Sequence, residues 1–108
     1  MSEDVQQGLA VIQQQLNELD AIASATLQDL NTVAGTERVA KWKVRTIALI
    51  TEAVGRPEGQ TLAAVHPGPS FTNDMVEEFT DLIECYRTPL AALAKQLAQR
   101  ALRPSAGS

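Results

Sequence analysis

At 108 residues, with nine basic against thirteen acidic side chains and a formal charge of −4, the chain has room for one domain and one modest core. The charge argues against bulk electrostatic binding to nucleic acid or to an anionic membrane. One Trp, one Tyr and two Phe leave the core to Leu, Ile, Val and Ala, which suit close helix packing more than a deep ligand pocket.

Cys85 is the only cysteine, so no intramolecular disulfide forms. The start MSEDVQQG is acidic and has no signal-peptide character. No apolar run approaches the roughly 20 residues that span a bilayer. These features read as a reduced, cytoplasmic protein.

The first element is a long helix. Val5, Leu9, Ile12, Leu16, Leu19, Ala23, Thr26, Leu30 and Val33 recur in alternating steps of three and four. That spacing places them on one helical face. Ser2 is the expected N-cap, with Glu3 and Asp4 at the positive end of the helix dipole. Gly35 is the expected stop after Val33 or Ala34. Gly8 weakens the first turns, where fraying is expected. Gln6, Gln7, Gln13, Gln14 and Gln15 read as a solvated face.

A second helix is expected from an N-cap at Thr36 to about Val54, ended by Gly55 and Pro57. It carries two apolar stripes, Val39, Trp42, Thr46, Leu49 and Ala53 beside Ala40, Val44, Ile47 and Val54. Two stripes imply two neighbours and the most enclosed position. Residues 55–71 hold a short helical turn opened by Pro57 and running through Leu62 and Val65. Phe71 is expected to pin the end of this connection to the core. Its length points to a crossover or to function.

The third long helix is expected from a cap at Thr72 or Asn73 to about Leu102. Its seam is Val76, Phe79, Ile83, Tyr86, Leu90, Leu93 and Leu97. Pro89 removes one backbone hydrogen bond and crowds the preceding turn. Because the seam holds phase through it, a kink is favoured over a break capped by Thr88. The fold predicted is all-α: an elongated antiparallel three-helix bundle with a kinked third helix and a short helical turn in the 55–71 connection. It forms one domain over 1–102, followed by a disordered tail at 103–108.

Four features bear on chemistry. Arg38, Lys41 and Arg45 share a helical face around Trp42, with Lys43 nearby. Exposed, such a set grips phosphate while the indole stacks on a base. The favoured reading packs Trp42 in the core and pairs the bases with Asp74, Glu77, Glu78, Asp81 and Glu84. The carboxylate row lacks the Glu-x-x-His motif of di-metal bundles and reads as a solvated face. His66 has no nucleophile or orienting carboxylate signalled beside it. Cys85 reads as a small half-buried apolar group. No phosphate-binding glycine loop is present. The chain is therefore expected to be no enzyme, with no metal and no cofactor. Val11, Ile22 and Leu27 lie off the seam of the first helix and form a candidate apolar interface.

One stretch, Gly35 to Leu97, carries a family resemblance. A helix with Trp42, Arg45, Thr46, Leu49 and Ile50, a glycine at its end, a loop, and an acidic helix closed by a leucine-rich one resemble known helical N-terminal regions. Those regions precede nucleotide-binding or TIR-like effector domains in bacterial anti-phage and conflict proteins. The resemblance implies an assembly or sensing module joined to an effector. The function expected is a non-enzymatic protein–protein interaction or oligomerisation module, with a protein partner or a second copy bound, no membrane, and nucleic acid disfavoured. The alternative is a nucleotide or nucleic-acid sensor using Arg38, Lys41, Trp42 and Arg45.

Overall fold

A computed structural model describes residues 3–68 and 73–102. It contains four helices: α1 (Glu3–Asp29), α2 (Thr32–Ala53), α3 (Arg56–Ala63) and α4 (Met75–Leu102). No strand occurs among the described residues. The molecule measures 54 × 24 × 20 Å, elongated along helices that are each about 40 Å long or less at 1.5 Å per residue. The expected Ser2 cap, the Phe71 anchor, the Thr72 cap and the 103–108 tail lie outside the described residues.

The junction between α1 and α2 differs from expectation. The first helix stops at Asp29, not at Val33 or Ala34. Leu30 takes a left-handed φ of 57°, and its amide still reaches the Thr26 carbonyl at 2.7 Å. Asn31 then caps α2, its Oδ1 accepting the Ala34 amide at 3.1 Å, while the Asn31 amide donates to Asp29 Oδ1 at 2.9 Å. Two short polar side chains make the turn, as their chemistry favours. Thr36 is not the cap; its hydroxyl bonds back to the Thr32 carbonyl.

Gly35 therefore lies inside α2, where it serves a close helix approach. A Cβ there would stand 2.4 Å from Thr26 Oγ1, 2.5 Å from Thr26 Cγ2 and 2.9 Å from Phe79 Cε1. Only a residue without a side chain lets α1, α2 and α4 meet at this point. Gly8 is likewise buried, where Val54 and Leu97 face it. The first turns of α1 are thus seated against both other long helices.

Contacts along the molecule give the helix directions. Position 8 of α1 meets 54 and 97, and position 26 meets 35 and 79. Helix α1 is therefore antiparallel to both α2 and α4, and those two run parallel. The connection from 55 to 74 must return along the length of α2, about 33 Å. Helix α3 covers its first part, with Pro57 in its first turn and buried Leu62 facing the core. Asp74 caps α4, accepting the Val76 and Glu77 amides at 2.9 and 3.2 Å, rather than Thr72 or Asn73. Helix α4 is continuous through Pro89, so Thr88 starts no new helix.

Ile12, Leu19, Val39, Trp42, Ile50, Phe79, Ile83, Tyr86, Leu90 and Leu97 form the core. The α4 seam is buried at Phe79, Ile83, Tyr86, Leu90 and Leu97 and half-buried at Val76 and Leu93, but the α1 seam fails at its end. Leu30 and Val33 are 64% and 63% exposed because the chain turns before reaching them. The buried stripe of α2 is Thr32, Gly35, Val39, Trp42, Thr46 and Ile50. Its other stripe divides: Ala40 and Val44 are exposed, Val44 at 69%, while Ile47 and Val54 pack partly on the core, and α2 touches α1, α3 and α4 as its wide apolar coverage implies. Gln15 is no part of a solvated face: it is buried and donates from Nε2 to Thr46 Oγ1 at 2.7 Å.

Candidate functional site

The four residues singled out on α2 separate in space. Trp42 is fully buried. Its indole N–H donates to the Gln15 carbonyl at 2.8 Å, and its ring lies 5.9 Å from that of Tyr86 at a 58° tilt. It offers no stacking platform to a base. Arg45 meets Glu18 of α1 at 3.4 Å. Arg38 and Lys41 are exposed and make no ion pair among the described residues. Lys43 turns inward, donating from Nζ to the Val65 carbonyl at 2.8 Å and sitting 5.0 Å over the Tyr86 ring. It fastens the end of α3 to α2.

The expected pairing of these bases with the acids of α4 is not what the helices adopt. The face bearing Arg45 lies toward α1, so its partner is Glu18. On α4, Glu84 pairs with Arg87 of its own helix at 2.6 Å, and Arg87 also pairs with Asp20 of α1. Such exposed pairs contribute about 0–1 kcal/mol each. They orient helices more than they stabilise them.

Of the three off-seam apolar residues, Val11 and Ile22 are half-buried and pack on the core. Only Leu27 is open, at 44% exposure. Three other large apolar side chains are more than half exposed: Leu30 and Val33, which the spacing places in the first seam, and Met75, which it does not single out. Val33 and Met75 line a groove of about 600 Å³ between the first turns of α2 and α4. Phe79, Leu82 and Cys85 line it too, and Glu37, Glu78 and Asp81 supply its charge. Pro67 and Gly68 also line it, and no basic side chain does so among the described residues. Val33 continues the spacing of the first seam, but α1 ends at Asp29 and Val33 falls in the first turn of α2. A stricter reading of Asp29 and Asn31 as turn formers would have signalled this.

The remaining candidates hold little chemistry. His66 is exposed beyond α3. Burial pushes the Cys85 thiol up from its ordinary value of 9.0, outweighing the opposing charge of Lys43, so the thiol is protonated at neutral pH and a poor nucleophile. No group of three or more His, Cys, Asp or Glu among the described residues is placed to hold a metal. A second groove of about 360 Å³, beneath α3, is floored by Ile50, Leu62, Pro89, Leu90 and Leu93. No described helix is long and apolar enough to cross a membrane. Searches against protein-family models, curated proteins and solved structures each found no match.

Proposed function

We propose that this chain is a non-enzymatic protein–protein interaction or oligomerisation module. Its three long helices act as an elongated bundle, kinked at Pro89 in α4, that presents one end to a partner. The observation carrying the reading is the apolar groove between α2 and α4, with Val33 and Met75 exposed at 63% and 57% beside it. Large apolar side chains clustered around a groove favour a partner that covers them. At about 25 cal/mol per Å², a few hundred Å² contributes several kcal/mol before association costs. The resemblance to N-terminal regions of bacterial conflict proteins makes an adaptor or assembly domain of that kind the biological setting we favour.

Two measurements test this. An environment-sensitive apolar dye should brighten on the chain and lose most of that signal in Val33→Asp/Met75→Asp. Light scattering over a concentration series should show a rising mass when the partner is a second copy. A chain that takes up no dye and keeps one mass throughout overturns the reading. The second reading, a nucleotide or nucleic-acid sensor, is favoured by the exposure of Arg38 and Lys41 but lacks the stacking indole. It predicts salt-sensitive binding of a labelled oligonucleotide that Lys41→Glu abolishes.

A further inference from the structure

Charge on this molecule is clustered in two blocks, one on α2 and one at the start of α4. Between Arg38 and Arg45 lie four bases and no acid, and between Asp74 and Glu84 five acids and no base. The fold does not bring the two blocks together. Arg45 meets Glu18 on the α1 side of α2, and the ridge Arg38–Lys41–Arg45 borders the groove at Glu37, one turn before Lys41. Exposed Val44 and Leu49 flank the ridge. The groove has the opposite sign: Glu37, Glu78 and Asp81 line it around Val33, Met75 and Leu82. Those three acids make no ion pair among the described residues, and neither do Arg38 and Lys41.

Each surface thus has what the other lacks. One is a convex basic ridge with two open aliphatic side chains, the other an acidic groove with an apolar floor. We propose that the Arg38–Lys41–Arg45 ridge of one copy docks in the α2/α4 groove of a second copy. This deepens the interaction-module reading and rests on it. The contact joins two different surfaces, so it is heterologous: each added copy brings a fresh ridge and a fresh groove. Opposite charges set register and speed the encounter, while Val44 and Leu49 against Val33, Met75 and Leu82 supply the apolar area. Such an interface weakens as salt screens it over a Debye length of about 10 Å.

Charge reversal on each surface tests this with the intact chain. Arg38→Glu/Lys41→Glu reverses the ridge, and Glu78→Lys/Asp81→Lys reverses the groove. All four side chains are exposed, so circular dichroism and melting should match the parent. Light scattering should show the parent gaining mass with concentration and losing it in high salt. Each double variant alone should associate more than about tenfold more weakly, because like charges then face one another. An equal mixture should regain association, since ridge and groove are complementary again across the two chains. Association that ignores salt, a variant that associates as the parent does, or a mixture that stays monomeric overturns the proposal. A monomeric parent that still takes up the apolar dye, or a Lys-rich apolar peptide, overturns self-docking and leaves the module reading standing.

Discussion

Replacing Gly35 by alanine probes the tightest point of the fold. In an open helix the exchange adds about 1 kcal/mol of stability, because alanine is the better helix former. Here the new methyl group would stand 2.4 Å and 2.5 Å from the two end atoms of Thr26 and 2.9 Å from Phe79 Cε1. Comfortable separations between carbon atoms are about 3.5–4.0 Å. Overpacking of that kind costs about 1–3 kcal/mol. Set against the propensity gain, Gly35→Ala should lose about 0–2 kcal/mol, or several degrees of Tm at most in a domain this size. The sharper test adds Thr26→Ala. The Thr26 hydroxyl donates only to the Ile22 carbonyl of its own helix, at 2.7 Å, so removing it orphans nothing across the interface. In Thr26→Ala/Gly35→Ala the new methyl fills the vacated space. The pair should then be more stable than the sum of the singles by about 1 kcal/mol or more. Urea unfolding followed by circular dichroism measures all four proteins. A stabilised Gly35→Ala with no coupling to Thr26 would refute the close approach of α1 and α2 at this crossing.

Thr46→Val should destabilise by about 1–3 kcal/mol, because it leaves the buried Gln15 amide without its acceptor; Gln15→Met/Thr46→Val removes both partners, along with the Gln15 Oε1 that has no partner, and should recover most of that loss in urea melts. Leu30→Gly should stabilise the chain by about 1 kcal/mol, since it relieves a left-handed backbone at a side chain that is mostly exposed. Lys43→Met should loosen the end of α3, raising amide exchange at Ala64 and Val65 above the parent, because it removes the bond to the Val65 carbonyl. Cys85 should react with a disulfide reagent more slowly than a free thiol at pH 8, with the rate rising as pH passes 9, because burial disfavours its thiolate. By the same linkage the folded chain holds that proton more tightly than the unfolded one, so stability declines as the pH rises above 9 and is unaffected below it.

The helical class and the α4 seam were legible in the residues themselves. Phe79, Ile83, Tyr86, Leu90 and Leu97 are buried as their spacing requires, because a three-and-four repeat has only one helical face to lie on. The crossover was legible from the length of the 55–71 connection. Periodicity could not place the end of α1, since Leu30 and Val33 continue the repeat past the turn that Asp29 and Asn31 make. Tertiary packing decided which polar groups go inside: Gln15 is buried because Thr46 and Trp42 meet it from α2, a partnership 27 and 31 residues away in the chain. It also decided the charge map. Whether Arg38 and Lys41 find the acids of α4 depends on how α2 is rotated about its axis, and that rotation is set by Gly35, Trp42 and Ile50 turning inward, not by the charges themselves.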